Sequence, residues 1–286
     1  MKKSDLVLTL GQRLGLLLCI FIVCYVLTSV LAMLLGKILV AKPAAAMRIT
    51  AMAQDILAFI IPAVATACVV TRKPAELLAI TRLRNPLWMA AIIVVMVVSI
   101  PAQELIIRWN ENIHFPAAAE TIFRAMEDAA QGAMRILLAD TSVPALIVNI
   151  LIIGVAAGFA EEFLFRGCFQ RLLVTGGVNP HAAIWIVAFV FSALHFQAFG
   201  FVPRLLLGAY FGYLLFWTQS IWAPVLAHAL NNTIFVITAW AELRRNPDAL
   251  LSGHAIEFSW AVIALSFLAT AALLYYLHRT ATSRAD

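Results

Sequence analysis

Residues 14–36, LGLLLCIFIVCYVLTSVLAMLLG, form an apolar run of 23 residues without a charged side chain. A helix that crosses the hydrocarbon core of a bilayer needs about 20 such residues. Because that core contains no water, the backbone must satisfy its hydrogen bonds within the segment, as a helix does. The run therefore predicts a membrane-spanning helix and, together with the similar runs that follow, an all-α membrane protein.

The composition of the whole chain points to the same solvent. Of the 286 residues, 63% are hydrophobic and 12% are charged, and the mean hydropathy is +0.95. Soluble domains carry about 25% charged residues, so an ordinary soluble fold is excluded. The net charge of +5 comes largely from Lys and Arg at the ends of apolar runs. Such charges contact lipid headgroups, so we expect the lipid bilayer as a partner and no nucleic acid.

Charged, proline and glycine boundaries divide the chain into about eight predicted spans. These cover residues 14–36, 51–71, 87–107, 144–174, 181–199, 202–217, 222–241 and 256–277. Between the third and fourth spans, helical spacing of apolar residues predicts an amphipathic helix on the membrane surface or capping the bundle. We expect a polytopic transmembrane helix bundle, located in the plasma or inner membrane if the chain is bacterial.

The same boundaries suggest how the single integral-membrane domain is organised. Residues 1–140 hold three spans and the amphipathic helix, and residues 141–286 hold the remaining spans. The unusual polar groups described next all lie in the second part. We therefore expect residues 141–286 to carry the chemistry.

Ionisable side chains inside spans are costly and are candidates for function. Glu161, Glu162 and Arg166 lie in the middle of the 144–174 run. Glu162 and Arg166 are four positions apart, which favours an ion pair on one face of a helix. A purely structural ion pair explains these two residues equally well, but it leaves Glu161 without a local partner.

Two later spans carry further polar groups. His195 ends the motif FSALH at residues 191–195, and His228 and Asn232 are four positions apart in the 222–241 span. Without any catalytic role, His195 would be a structural histidine with its hydrogen bonds satisfied. His228 and Asn232 would then form a polar contact between helices. Arg204, beside Pro203, is interpreted as an anchor at the membrane interface.

The depth of these groups brings them together. Glu161 lies 13 residues before position 174, and His195 lies 14 residues after position 181. At the helical rise, these distances are about 20 and 21 Å from the turn that joins the two spans. His228 and Asn232 reach a similar depth. Glycines four positions apart, at 154 and 158 and at 208 and 212, allow the close helix approach that this requires.

A carboxylate, two imidazoles and a carboxamide in one pocket suit hydrolysis. In one version, Glu161 takes a proton from a water molecule that His195 also holds. In a second version, Glu161, His195 and His228 bind a divalent metal such as zinc, with an open position for water. The residues alone leave both versions open. The patterns HExxH and GxSxG are absent from the chain, which excludes the common zinc-protease and serine-hydrolase motifs.

The ordered motifs Glu161-Glu162-x-x-x-Arg166, Phe191-x-x-x-His195 and His228-x-x-x-Asn232 resemble the signatures of the CPBP family. This family includes the type II CAAX prenyl endopeptidases and bacteriocin-processing or immunity membrane proteins. The resemblance covers about residues 145–240.

The resemblance implies an intramembrane endopeptidase, a membrane-embedded protease of the CAAX type, acting on membrane-associated proteins or peptides. It implies that Glu161 and His195 activate water and that His228 and Asn232 form the oxyanion site. Arg166 would organise the two glutamates. Dependence on a metal stays open.

Two other functions fit parts of the pattern. A non-catalytic membrane partner, such as an immunity or scaffold protein, would use the polar cluster only for structure. A transporter of protons or small solutes would use intramembrane Glu and His as a relay. The sequence shows no paired inverted halves with broken helices, which disfavours the transporter. It predicts no oligomeric state.

Overall fold

The structure, a computed structural model, describes residues 8–83, 85–246 and 258–282. Its regular elements within these ranges are helices, and no strand is found there. The longer helices are α1 (Leu10–Ile38), α2 (Pro43–Val70), α3 (Pro86–Val98), α4 (Ile100–Glu111), α5 (Ala117–Leu138), α6 (Val143–Thr175), α7 (Pro180–Ala193), α8 (Ala198–Thr218), α9 (Trp222–Arg245) and α10 (Trp260–Thr282). A one-turn helix, Pro74–Leu77, lies between α2 and α3.

Five of these helices in the described ranges, α1, α2, α6, α8 and α10, are long and apolar enough to cross a membrane. The pair α3 and α4, bent by 47°, makes a sixth if it is one span. The all-α polytopic membrane fold is therefore confirmed, but the count of eight spans is not. Helix α7 has only 14 residues, and α9 carries His228, Asn231 and Asn232 among its apolar side chains.

Apolar side chains cover the outside of the bundle as well as its core. In α1, Leu18 and Val26 are 56% and 53% exposed, and in α10, Leu265 and Leu268 are 65% and 69% exposed. Continuous apolar surface of this kind is costly in water but suits contact with lipid tails. Helices α1 and α10 therefore form part of the lipid-facing periphery.

Two glycines allow close contacts around the polar motifs, Gly158 with the backbone of another helix and Gly208 with a buried side chain. A Cβ atom at Gly158 of α6 would lie 2.9 Å from the backbone nitrogen of Ala229 in α9. A Cβ atom at Gly208 of α8 would lie 3.2 Å from Nη2 of Arg166. The glycine spacing thus allows the predicted close approach, and it brings α8 and α9 against the middle of α6.

The amphipathic helix predicted between the third and fourth spans is present as α5. Its last residues, Leu137 and Leu138, are buried in a cluster with Val236 and Ala239 of α9. Burial of these residues against α9 explains why one side of the otherwise polar helix α5 carries apolar side chains. Helix α5 therefore packs along the end of the bundle that contains the C-terminal half of α9.

The chain turns earlier than predicted after α7. The predicted span of residues 181–199 instead ends with α7 at Ala193, and Phe196 adopts a left-handed conformation with φ of +54°. A residue in this region ends a helix because the backbone can no longer continue it. His195 therefore lies in a turn rather than inside a helix.

Asn110 of α4 holds the segment after this turn in place. Its Nδ2 donates to the carbonyl oxygen of Ala198 at 2.9 Å, and its Oδ1 accepts from the backbone nitrogen of Val202 at 2.7 Å. A buried carboxamide that satisfies two backbone groups in this way stabilises one loop conformation. For the last span, the predicted start at Ile256 lies outside the described residues, and α10 begins at Trp260.

Candidate catalytic site

The middle of α6 carries the two glutamates between two segments of π-helix. The segment Ala157–Glu162 is α-helical, whereas Ile150–Ala156 and Phe163–Gln170 are π-helical. A π-helical turn contains more residues than an α-helical turn and is frequent at functional sites. The two segments change which side of α6 each residue faces, so the partly buried Glu161 and the fully buried Glu162 can serve different partners.

Glu162 connects two helices through one oxygen atom. Its Oε1 accepts from Nη1 of Arg166 at 2.7 Å and from Nδ1 of His228 at 2.7 Å. Neither Glu162 nor Arg166 has any exposed side-chain surface. The predicted ion pair between them is therefore present, and it is extended by an imidazole from α9 that the sequence motifs had not linked to it.

Nη2 of Arg166 donates to the carbonyl oxygen of Gly208 at 2.9 Å. This contact ties α6 to α8. A buried guanidinium needs such partners because each unsatisfied N–H group is costly. The Glu162–Arg166 pair is thus anchored to helices on two sides.

Aromatic rings fix the orientation of His228 and Arg166. The His228 ring stacks on Phe211, with ring centroids 4.9 Å apart, and meets the edge of Phe191 at 5.7 Å. The Arg166 guanidinium lies over the Phe191 ring at 4.6 Å. Such packing restricts side-chain rotation and holds the imidazole between its two glutamate neighbours.

A cavity of about 310 Å³ opens beside this network. Glu161, His195, His228 and Asn232 all line it. The depth prediction is consistent with this finding, because groups from α6, from the turn after α7 and from α9 border one space. Glu162 and Arg166 do not line the cavity, so a ligand in it would not contact them directly.

Glu161 presents an open carboxylate oxygen at this cavity. Its side chain is 15% exposed, and its buried Oε2 has no hydrogen-bond partner among the described residues. The nearest imidazole nitrogen, Nε2 of His228, lies 3.9 Å from that oxygen. This distance is too long for a hydrogen bond. The oxygen therefore has no hydrogen-bond partner among the described residues that a bound molecule would have to displace.

His195 presents an acceptor nitrogen at the same cavity. Its Nδ1 lies 2.8 Å from the carbonyl oxygen of Phe191. Because a carbonyl only accepts, Nδ1 carries the proton, and in a neutral imidazole Nε2 is then the acceptor.

Asn232 contributes a donor to the cavity. Its Nδ2 donates to the carbonyl oxygen of Ile153 at 3.2 Å. A carboxamide nitrogen carries two protons, so one remains for a ligand.

The side chains do not form a metal site of the predicted kind. Among the described residues, no group of three or more His, Cys, Asp and Glu side chains is placed to hold a metal ion. Nδ1 of His228 is bonded to Glu162 and Nδ1 of His195 to a carbonyl, so only the Nε2 atoms of these two residues remain as possible ligands. A zinc site needs three protein ligands converging on one point. The arrangement of Glu161, His195 and His228 does not fit that requirement.

The position of the Arg204 side chain differs from the one that the sequence suggests. It was expected to act as an interfacial anchor, but it lines the cavity with Glu161. That prediction was wrong because Gly200, one helical turn earlier, leaves room for the guanidinium to turn inwards. An ionisable residue inside a predicted span was the signal that should have marked it.

Asp55 carries the same signal and was also missed. It lies inside the predicted span of residues 51–71, is 6% exposed, and begins the π-helical segment Asp55–Ile60 of α2. This segment packs against the part of α6 that contains Glu161, which acts electrostatically on Asp55. The first half of the chain therefore contributes a carboxyl group close to the site.

Comparisons with known proteins cover the same region of the chain. Residues 143–234 match the family model described as Type II CAAX prenyl endopeptidase Rce1-like. The chain is 28% identical over 93 residues to the uncharacterized protein YpbD of Bacillus subtilis (strain 168), which covers 31% of this chain and 44% of YpbD. No solved structure matches the chain.

The family match contains all three motifs, from Glu161 to Asn232. It leaves the N-terminal helices α1 to α5 outside. The resemblance that the motifs predicted is therefore confirmed: over residues 143–234, this chain is similar to the type II CAAX prenyl endopeptidases of the Rce1-like family.

Proposed function

We propose that the protein is an intramembrane endopeptidase that hydrolyses peptide bonds of membrane-associated proteins or peptides. The observation that carries this proposal is that Glu161, whose Oε2 has no hydrogen-bond partner among the described residues, lines a cavity together with His195, His228 and Asn232. The match of residues 143–234 to an endopeptidase family supports it. For a bacterial chain, we assign the reaction to the plasma or inner membrane.

Glu161 and His195 activate the water in this proposal. The water donates one hydrogen bond to Oε2 of Glu161 and the other to Nε2 of His195. As the water oxygen bonds to the peptide carbonyl carbon, one proton passes to Glu161. That proton then passes to the leaving nitrogen as the C–N bond breaks. Loss of the second proton to the amine yields a carboxylate and an ammonium group.

His228 and Asn232 stabilise the negative oxygen of the tetrahedral intermediate. Asn232 supplies the amide proton that Ile153 does not use. Nδ1 of His228 faces Glu162, so His228 can donate to the negative oxygen from Nε2 only when both of its ring nitrogens carry a proton. An imidazole that donates from both nitrogens is an imidazolium. Donors held in place before the reaction contribute strongly to catalysis.

When His228 is an imidazolium, the charges of the four side chains Glu161, Glu162, Arg166 and His228 balance. Arg166 and protonated His228 carry two positive charges, and Glu161 and Glu162 carry two negative charges. Burying a balanced set costs less than burying an unpaired charge. Glu162 and Arg166 hold the other groups in place and act as positioning residues. No step of the proposed reaction passes through a metal.

The experiment compares peptide termini in membranes from cells that make wild-type protein and cells that make Glu161→Gln. New termini that depend on wild-type protein are expected, and the variant should abolish them. Glu76→Gln is the matched control, because Glu76 is exposed and its side chain pairs only with Lys73 among the described residues. Metal content is measured on the same purified proteins.

Identical termini in cells making wild-type and Glu161→Gln protein would overturn the proposal. Strong destabilisation of Glu161→Gln without any change in termini would instead favour a non-catalytic membrane partner. Thermal unfolding of each purified variant in detergent separates the two outcomes.

A further inference from the structure

Arg204 is a cavity-lining cation that the proposed reaction does not use. We infer that Arg204 binds a carboxylate of the peptide substrate, either the C-terminal carboxylate or the side chain of an Asp or Glu residue. This inference rests on the proposed endopeptidase function. It adds to that function a chemical class of substrate and a residue that recognises it.

Of the two terminal nitrogens of the Arg204 guanidinium, Nη2 has a hydrogen-bond partner and Nη1 has none among the described residues. Its Nη2 donates to Oε1 of Gln197 at 3.0 Å. Its Nη1 is buried and has no hydrogen-bond partner among the described residues. A buried N–H group without a partner is costly, so sites of this kind normally receive an acceptor from a ligand or from water.

Gly200 provides the space in which the guanidinium sits. A Cβ atom at Gly200 would lie 2.9 Å from Nη2 of Arg204 and 3.4 Å from its Cζ. Any larger residue at this position would push the guanidinium away from its present place. The inward position of Arg204 thus depends on a particular glycine and is not the chance orientation of a surface side chain.

Glu127 and Glu161 act electrostatically on Arg204, but neither forms an ion pair with it. The structure records no ion pair between Arg204 and an acidic side chain in the part of the chain that it describes. The carboxylate of Glu127 forms no ion pair with Arg204. Its Oε1 instead accepts from Nε2 of Gln197 at 3.3 Å. Gln197 therefore bridges Glu127 and Arg204, and Nη1 of Arg204 is left without a hydrogen-bond partner among the described residues.

A carboxylate is the acceptor that best suits this group. Guanidinium and carboxylate groups are both planar and form short, charge-assisted hydrogen bonds. Arg204 and Glu161 line the same cavity of about 310 Å³. A peptide with its scissile bond at Glu161 therefore reaches Arg204 within a few residues, at about 3.3 to 3.6 Å per extended residue.

The test uses purified full-length protein and randomised peptide libraries of one length, prepared as C-terminal acids and as C-terminal amides. Mass spectrometry measures the new termini and the cleavage rates. A terminal carboxylate predicts faster cleavage of the acid library, by about tenfold or more. A side-chain carboxylate predicts enrichment of Asp or Glu at one distance from the cut in the amide library.

Arg204→Met should remove whichever preference the wild-type protein shows. The loss should appear mainly as a higher KM with little change in kcat, as expected when binding of an unreactive part is lost. Arg204→Lys should keep part of the preference, because it keeps the charge but not the planar fork. Gly200→Ala keeps the arginine and displaces it, so it should also weaken the preference. Arg13→Met, in α1 and outside the cavity lining, is the matched control.

The outcomes separate this inference from the proposed function. Cleavage by wild-type protein with neither preference, or with a preference that Arg204→Met retains, would overturn the inference alone. Equal losses on the acid and amide libraries without any sequence enrichment would also overturn it, since they indicate a role in the fold or in lipid contact. If wild-type protein cleaves no more than Glu161→Gln, the proposed function fails and the inference with it. Where Arg204→Met does not fold, Arg204→Lys and Gly200→Ala decide.

Discussion

Nδ1 of His228 lies 2.7 Å from Oε1 of Glu162, although the two residues are 66 positions apart in the chain. The contact joins α6 to α9 inside the bundle. It orients the imidazole so that Nε2 faces Glu161 at 3.9 Å. One carboxylate thus positions the histidine, and its neighbour in sequence is left open to the cavity.

The two adjacent glutamates should differ in their effect on stability. Glu162→Gln leaves the fully buried Arg166 without its charge partner. Breaking a buried pair in this way costs about 3 to 5 kcal/mol, so the variant should unfold at a clearly lower temperature in detergent. Glu161→Gln should change the free energy of unfolding by less than about 1 kcal/mol, because Oε2 of Glu161 loses no hydrogen bond.

Thermal unfolding of both variants in the same detergent checks this contrast. Both should also lose cleavage activity, Glu161→Gln through the chemistry and Glu162→Gln through the position of His228. Equal destabilisation by the two substitutions would contradict the division of roles between the two carboxylates.

Asn232→Asp should lower the rate of the reaction. The substitution removes the amide donor and puts a carboxylate opposite the carbonyl oxygen of Ile153. Loss of one oxyanion donor lowers kcat by about 10² to 10³, and KM should change little. Steady-state kinetics on a peptide cleaved by wild-type protein measures both constants.

Asn179→Asp is the control for this substitution. Asn179 caps the start of α7 by accepting from the backbone nitrogen of His181. Asp caps helices as well as Asn does, so kcat should stay at the wild-type value. A wild-type kcat in Asn232→Asp would remove Asn232 from the oxyanion site.

Gly158→Val should separate α6 from α9. The new Cβ would lie 2.9 Å from the backbone nitrogen of Ala229. Neither backbone can move without moving a helix, so we expect a loss of about 1 to 3 kcal/mol in the free energy of unfolding. Activity should fall too, because His228 precedes Ala229 directly.

Gly132→Ala gives the matched comparison. A Cβ at Gly132 of α5 has nothing within 4 Å. Ala in a helix interior is about 0.5 to 1 kcal/mol more favourable than Gly, so this variant should be slightly more stable than wild type. If both glycine substitutions change the unfolding temperature in the same direction, the close approach of α6 and α9 is not what requires Gly158.

Glu120 predicts a pH dependence of stability at the start of α5. Hydrogen bonds from the backbone nitrogen of Phe115 and from Arg124 hold the pKa of Glu120 below its usual value. A carboxyl group with a lowered folded-state pKa contributes stability above its unfolded pKa. It loses that contribution as the pH falls through the folded pKa.

Wild type and Glu120→Gln should therefore differ in unfolding temperature near pH 7 and converge as the pH falls below about 4. A melting series in detergent from about pH 7 to about pH 3 measures the difference. A difference that grows as the pH falls would show that protonated Glu120 is the more favourable form, contrary to the hydrogen bonds seen here.

Local patterns in the sequence predicted much of the fold. The run at residues 14–36 became α1, and the i, i+4 spacing of Glu162 and Arg166 became an ion pair at 2.7 Å. These features depend on helical periodicity over a few residues, which the chain displays directly. The ordered motifs likewise predicted the family that residues 143–234 match.

The errors lie where distant segments decide the conformation. The turn containing His195 is held by Asn110 of α4, and the inward side chain of Arg204 depends on Gly200. Asp55 was missed because its importance comes from the packing of α2 against α6. The sequence could mark Asp55 and Arg204 as ionisable residues inside spans, but contacts between helices leave no periodic trace that shows where their side chains lie.

By itself, the sequence determined an all-α membrane protein with a polar centre in its second half. Apolar run length and helical spacing suffice for that, because the bilayer forces each segment to satisfy its own backbone hydrogen bonds. Only the tertiary structure decided that His228 bonds to Glu162 and not to Glu161. That choice depends on where α9 places His228 across the bundle, a packing result that no local stretch of α6 contains.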